Sequence, residues 1–431
     1  MHVTTKLQTE PVDLPAEARR LAGQARAASW KLAGVGGRQR NEVLRSLADL
    51  LEERTDHLVQ ANGRDLDLAG ESGASEAFVG KLRIGPPDVA TMAAAVRRIG
   101  DQTDPVGQVI EGSVRPNGLR LEKVRVPLGV ILIIYESRPN VTCDAAALCL
   151  KAGNATILRG GKEAAHSNAV IAEAVRDALE AQGLDRDTVQ LVQTSDRALV
   201  GELLKRNKEI DVVIPRGGAG LIRAVVEQSH IPVIKHFDGI CHVYVDRHAL
   251  ELPEGQAAAI CVNAKAQRPG VCNAAETLLF HEAAAPILRE TGRRLRDAGV
   301  EIRGCELTRQ ILESAEPATE DDWSTEYLDK IVSIRVVSSL ADAVEHINRH
   351  GSGHTDAILT ADIASADAFV AAVDSANVMV NCSTRFSDGG EYGLGAEIGI
   401  STDKLHARGP MGAADLTTYK WVVRGDGQVR Q

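Results

Sequence analysis

The segment Gln267-Arg-Pro-Gly-Val-Cys-Asn-Ala-Ala-Glu-Thr-Leu-Leu279 holds the residues best suited to covalent chemistry. It places one cysteine, Cys272, in a polar loop just ahead of an apolar run. A thiol becomes a useful nucleophile when cationic neighbours or oriented backbone amides lower its pKa and substrate can reach it. Arg268 and the Pro269-Gly270 break supply those conditions on paper. A lone cysteine is more often a small buried hydrophobe, so the weight falls on the residues around it.

Two further loops suit an anion. Arg159-Gly-Gly-Lys162 follows a strand-like run at 155–158, and Pro215-Arg-Gly-Gly-Ala-Gly220 follows another at 211–214 and leads into a helix. Gly160, Gly161, Gly217 and Gly218 would let backbone amides approach a dinucleotide pyrophosphate, with Arg159 and Lys162 adding charge for a 2′-phosphate. Neither loop completes G-x-G-x-x-G, and ligand-free βα turns use glycine as well. The seven cysteines include no CxxC pair and the twelve histidines are dispersed. That pattern predicts free thiols and no metal.

The elements that must position these loops follow from periodicity. The first hundred residues read as helices, with Leu44, Leu47, Leu51 and Leu58 as an apolar stripe facing a larger body. Short alternating runs over 104–125 surround a Pro116-Asn-Gly118 turn and predict a β-hairpin too small to hold a core alone. From 126 to 240 strand and helix signals alternate. Residues 129–135, 155–158, 189–192, 211–214 and 231–234 read as strands, with helices over 145–152 and 164–182. Repeated βα units of this length predict a doubly wound parallel sheet, whose ligands bind beyond the carboxyl ends of its strands. A second α/β pattern has strands at 331–336, 357–360 and 377–381 and helices at 340–349 and 363–373. The tail, 417–424, reads as an apolar strand that needs an edge to pair with, from the 104–125 hairpin or from a second subunit.

Composition narrows the class. A length of 431 residues suggests two or three domains. The net charge of −10, with Lys and Arg dispersed, argues against a nucleic-acid or membrane-surface partner and points to a small-molecule substrate or another copy of the chain. The first residues lack the apolar core of a signal peptide, and no run reaches the roughly 18 apolar residues of a membrane span. A cytoplasmic protein is expected.

Almost the whole chain resembles the gamma-glutamyl phosphate reductase family, within the aldehyde dehydrogenase superfamily. The resemblance rests on VPLGVILIIYESRPNVT (126–142), LRGGKEAAHSN (158–168), VIKHFDGICHVYVD (233–246), QRPGVCNAAETLL (267–279) and NCSTRFSDGGEYGLGAEIGIST (381–402). It implies an aldehyde-dehydrogenase-like α/β fold with a cofactor-binding domain (1–103 and 126–244), a catalytic domain (245–408) and an oligomerisation hairpin with its tail strand (104–125 and 409–431). It implies NADPH-dependent reduction of L-glutamyl 5-phosphate to glutamate 5-semialdehyde with phosphate release, a step of proline biosynthesis from glutamate. A homodimer or larger assembly is expected, and a transient complex with the glutamate 5-kinase that would supply the labile acyl phosphate.

The resemblance also implies roles. Cys272 takes the position of the nucleophile that forms a thioester, and Asn140 that of the side-chain amide stabilising the oxyanion; as a residue after Pro139 it also reads as a turn former. His236 stands where hydrolytic relatives carry a water-activating glutamate, as suits an enzyme that must keep water from its thioester. Glu326 aligns with the carboxylate that holds the nicotinamide ribose. The substrate carries charges of both signs. Arg138, Arg268 and Arg385 are candidate anion partners, Glu136 and Asp388 candidate ammonium partners, and Ser383 and Thr384 candidate hydroxyl donors. Two other readings stay open: an NAD(P)-dependent hydrolytic aldehyde dehydrogenase, disfavoured by His236, and a silent nucleotide-binding paralogue.

Overall fold

The computed structural model describes residues 13–430. Five helices come first: α1 (Leu14–Leu32), α2 (Gly37–Glu53), α3 (Thr55–Glu71), α4 (Glu76–Leu82) and α5 (Pro86–Asp101). Asp13 caps α1 by accepting the Ala16 N–H at 3.1 Å, and Pro86 and Pro87 open α5, where a missing N–H costs nothing. The leucine stripe is core as expected, but it belongs to two helices. Leu44, Leu47 and Leu51 are buried on α2, and Leu58 is buried on α3, beyond the break at Arg54.

A hairpin follows, β1 (Val109–Val114) and β2 (Arg120–Pro127). The chain then winds through β3 (Val130–Tyr135), α6 (Pro139–Lys151), β4 (Ala155–Arg159), α7 (Ala165–Ala181), β5 (Val189–Leu191), α8 (Ala198–Leu203), β6 (Val212–Arg216) and α9 (Ala219–Gln228). The four strands form a parallel sheet in the order β5-β4-β3-β6. All six residues of β3 are buried, as an uninterrupted VILIIY run requires. Helix α6 starts two turns earlier than the alanine-rich stretch suggests, because Pro139 opens it. The run at 231–234 makes only a single bridge, Val213 to Val233, since Pro232 has no N–H to extend a ladder.

The second α/β segment contains β7 (Cys241–Val245), α10 (Gln256–Ala266), β8 (Ala275–His281), α11 (Ala285–Asp297), β9 (Glu301–Gly304), α12 (Glu306–Ile311), β10 (Glu316–Pro317), β11 (Ile331–Val337), α13 (Leu340–His350), β12 (Thr355–Leu359), α14 (Ile363–Ala372) and β13 (Asn377–Val380). Its seven strands are parallel in the order β10-β9-β11-β8-β7-β12-β13. A two-stranded ladder, β14 (Ile400–Ser401) with β15 (Gly409–Pro410), and the tail strand β16 (Thr417–Arg424) complete the chain.

Two compact units result. Of the described residues, one unit takes 13–235, 393–399 and 411–430, and the other 236–392 and 400–410. The chain passes between them at 235/236, ahead of the 244/245 boundary read from sequence, because β7 pairs with β8 and β12 of the second sheet. The tail strand finds its edge within the chain. All eight of its residues pair antiparallel with β2, giving the sheet β1-β2-β16.

Asn154 ties this unit together. Its fully buried side chain accepts the Gly129 N–H at the entry to β3 and donates to the Leu416 carbonyl before β16, both at 2.8 Å. Replacing it strands two backbone groups, each costing about 1–3 kcal/mol when buried. Asn154→Ala is expected to lose about 2–3 kcal/mol of unfolding free energy, read in urea as a lower midpoint with an unchanged slope.

Candidate active site

Cys272 lies in the loop between α10 and β8, half-buried. The loop is clamped at its base by Lys265, at the end of α10, and Glu276, at the start of β8, which form an ion pair with both side chains fully buried. Burial pushes the Glu276 carboxyl up, against the pull of Lys265, and the other Glu276 oxygen accepts the Leu328 N–H at 3.3 Å. From the opposite side Gly239 presses on the Cys272 carbonyl so closely that a Cβ there would stand 2.1 Å from its oxygen. Only glycine fits such a contact.

Three side chains gather around Cys272 within this unit. One nitrogen each of His236 and His354 and the sulfur of Cys272 all lie within 4.8 Å of one another. The two imidazoles meet edge to face, with centroids 5.4 Å apart. Cys241, first residue of β7, donates its S–H to the Cys272 carbonyl at 3.2 Å and lies 3.6 Å from His354 Nδ1. Cys241, Cys272 and His354 thus stand at the amino ends of the adjacent parallel strands β7, β8 and β12. This is opposite to the carboxyl-end rule that serves open α/β sheets.

Charge gathers at the same thiol. Arg385 is disfavoured as a cation by burial and then by Arg268 beside it, with Asp388, Cys272 and Cys241 acting in the other sense. Arg385 donates to Gln267 Oε1 at 2.9 Å, and neither arginine forms an ion pair among the described residues. Ser383 is spent capping the turn, accepting the Arg385 N–H at 3.3 Å. Asp388 likewise accepts the Gly390 and Glu391 N–H groups. Thr384 Oγ1 is buried without a hydrogen-bond partner. Glu326 Oε1 accepts the Gly239 N–H at 2.9 Å, and burial raises its pKa, so it borders the same loop.

Four of the other thiols are set apart by burial. It pushes Cys149 and Cys261 up to about 12 and holds Cys143 and Cys241 well above the ordinary thiol range. Such thiols stay protonated and inert.

The remaining sequence candidates belong to the other unit. Gly160, Gly161, Gly217 and Gly218 do follow the carboxyl ends of β4 and β6, on either side of β3 where the strand order reverses. At three of the four the protein's own side chains crowd the position. A Cβ at Gly160 would meet Asn168 and Tyr135, one at Gly161 would meet Ser137, and one at Gly217 would meet Glu136. The Gly218 N–H, at the start of α9, is given at 2.8 Å to Glu136, which was expected to meet a substrate ammonium. Arg138 sits just ahead of α6 and Asn140 in its first turn, exposed, donating to Asp144 Oδ2 at 3.3 Å.

Sequence reasoning missed Arg197. Burial and then Arg197 disfavour the Arg159 cation, while Arg159 donates to the carbonyls of Gly160 and Ser195 and pairs with no carboxylate among the described residues. Two guanidiniums in no ion pair among the described residues, with Glu163 as the nearby carboxylate and an exposed Lys162 three residues on from Arg159, make a donor set that fits a phosphate. His354 was missed as well. His346, His350 and His354 recur at four-residue spacing, a regularity hidden in the reading of dispersed histidines. The first two stay on α13 with rings 4.7 Å apart, and the third reaches the thiol.

The parallel sheets and the thiol loop define a member of the aldehyde dehydrogenase family, whose model matches residues 5–298. Over nearly its full length the chain is similar to curated gamma-glutamyl phosphate reductases. It is 53% identical over 409 residues to that of Moorella thermoacetica, covering 95% of this chain and 97% of the relative. It is 50% identical over 432 residues to that of Rhodopirellula baltica, covering 99% of each. The crystal structure of the gamma-glutamyl phosphate reductase of Thermotoga maritima superposes with a TM-score of 0.93 at 45% identity, covering 96% of this chain and 100% of that one. The chain belongs to the gamma-glutamyl phosphate reductases.

Asp144 offers a check on the Asn140 neighbourhood. Burial lifts its carboxyl from 3.8 to about 6, opposed by the Asn140 hydrogen bond and by Arg216, and aided by Glu397. A carboxyl with a raised folded-state pKa favours folding at low pH and loses that contribution as pH climbs from about 4 through 6. Asp144→Asn has no such loss. Its stability relative to wild type is expected to improve by about 1 kcal/mol between pH 4.5 and 7, discounted for partial solvent access, as read by denaturant unfolding at both pH values.

Proposed function

We propose that the chain catalyses NADPH-dependent reduction of L-glutamyl 5-phosphate to L-glutamate 5-semialdehyde with release of phosphate. The observation that carries this reading is the half-buried Cys272 thiol beside two arginines, Arg268 and Arg385, that lack carboxylate partners. A substrate with a carboxylate at one end and an acyl phosphate at the other supplies both missing anions. The Cys272 S–H proton passes to solvent and the sulfur attacks the acyl carbon. The C–O bond to phosphate breaks, phosphate departs with the electron pair, and a thioester remains on Cys272. Asn140 is the proposed side-chain donor to the developing oxyanion, a contact worth about 3 kcal/mol in such sites. A nicotinamide cofactor, held by the residues named below, would supply the hydride that reduces the thioester, and Cys272 would leave as thiolate with release of the aldehyde.

His236 supports the reductive direction. Its position beside the sulfur is the one the family resemblance gives to the water-activating glutamate of hydrolytic relatives, and it bears no carboxylate. Glu326, held by the Gly239 amide, is the proposed partner of the nicotinamide ribose. Arg159, Arg197 and Lys162 are proposed to hold the 2′-phosphate that distinguishes NADP from NAD.

Assembly through the β1-β2-β16 sheet is part of the same proposal. Val109, Val114, Trp421 and Val423 are at least half exposed on it, more apolar surface than an edge sheet needs. No helix among the described residues is long and apolar enough to cross a membrane. The reaction is proposed to run in the cytoplasm, on an acyl phosphate handed over by a separate kinase.

Two measurements test this reading. In the reverse direction, NADP reduction with glutamate 5-semialdehyde is expected to need inorganic phosphate and to vanish in Cys272→Ala; turnover without phosphate would make the enzyme hydrolytic. Arg159→Ala is expected to raise the KM for NADPH about 10–100-fold, the worth of one charge-assisted contact, and to leave that for NADH nearly unchanged. Equal effects on both cofactors would remove the 2′-phosphate role.

A further inference from the structure

We propose that His236, Cys272 and His354 form a conditional binding site for a soft divalent cation, zinc above all, and that filling it silences the enzyme. The three ligand atoms lie within 4.8 Å of one another, and none of the three residues is exposed. Tetrahedral zinc has Zn–S near 2.3 Å and Zn–N near 2.0–2.1 Å, which places its ligand atoms about 3.3–3.6 Å apart. Side-chain rotation at the half-buried Cys272 and His236 is enough to close the difference. His354 is the fixed member. Its carbonyl accepts from Asn377 Nδ2 at 3.2 Å, and its Nδ1 meets Thr355 Oγ1 at 2.9 Å. An outer hydroxyl of that kind orients a metal-binding imidazole.

The donor set decides which ion fits. Two imidazoles and a thiolate suit zinc, cobalt or cadmium, and offer nothing to magnesium or calcium, which want oxygen. Three protein ligands leave a fourth position for water. The nearby guanidiniums of Arg268 and Arg385 oppose a dication, so the site is one that fills under metal excess and empties to a chelator. On binding, the Cys272 S–H bond breaks, its proton goes to solvent, and the sulfur pair forms the metal bond. The same electron pair then no longer attacks a carbonyl. This second consequence rests on the nucleophile role proposed above; the binding itself does not.

Cobalt(II) separates the two. Added to the full-length reduced protein, it is expected to give a thiolate-to-cobalt charge-transfer band that one equivalent of zinc removes and magnesium leaves unchanged. The band should be absent in Cys272→Ala, and the apparent affinity should fall at least tenfold in His236→Asn, with both variants shown folded by circular dichroism. No band in wild type, or a band that survives in Cys272→Ala, overturns the site. In the reductase assay zinc should stop turnover and a chelator restore it. Loss of the band in Cys272→Ala with turnover unaffected by zinc would uphold the metal site and remove Cys272 as the nucleophile.

Discussion

The loop that carries Cys272 depends on one ion pair. Lys265 and Glu276 close the base of the turn that carries Cys272, both out of contact with water. Removing either partner leaves an uncompensated charge, a loss of several kcal/mol in buried pairs. What the pair secures here is position. With both feet of the loop fixed, the Gly239 backbone can press on the Cys272 carbonyl, Glu326 can hold the Gly239 amide, and the Leu328 amide returns to Glu276. The thiol is thereby placed by backbone and buried charge, while the residue itself stays only half-buried.

The two sheets carry their glycine and thiol loops at opposite ends. The glycine loops of the first follow the carboxyl ends of β4 and β6, as open α/β sheets usually arrange. In the second, Cys241, Cys272 and His354 precede or begin their strands. The amino ends of parallel strands carry unpaired N–H groups, so a site there sits among donors, which suits a substrate with two anionic groups.

Periodicity made most elements legible. The buried run at β3, the helix at 165–181 and the tail strand each matched a simple pattern, because apolar spacing reports burial directly. Misreadings arose where one residue overrode the pattern: Pro139 lengthening α6, Pro232 denying a strand at 231–234, Arg54 dividing the leucine stripe. Cys272 and its arginine neighbour were legible from one segment. Cys241 and His354 were not, since only strand pairing brings them to the thiol. The glycine loops carry a further constraint that the sequence does not display. Their residues were singled out for a ligand's sake, yet Tyr135, Ser137 and Glu136 already require the missing Cβ atoms.

The tail strand carries a consequence for the order of assembly. Thr417 pairs with Pro127, and β2 otherwise has only the short β1 beside it. As the polypeptide leaves the ribosome, β2 therefore waits for almost the whole second unit to be made before its partner exists. The second unit, nearly continuous from 236 to 392, has no such wait and can acquire its core first. The long loop closure that joins β16 to β2 then falls late, when the intervening chain is already compact and its entropic cost is small. Until that moment β2 is an open edge with unpaired backbone groups.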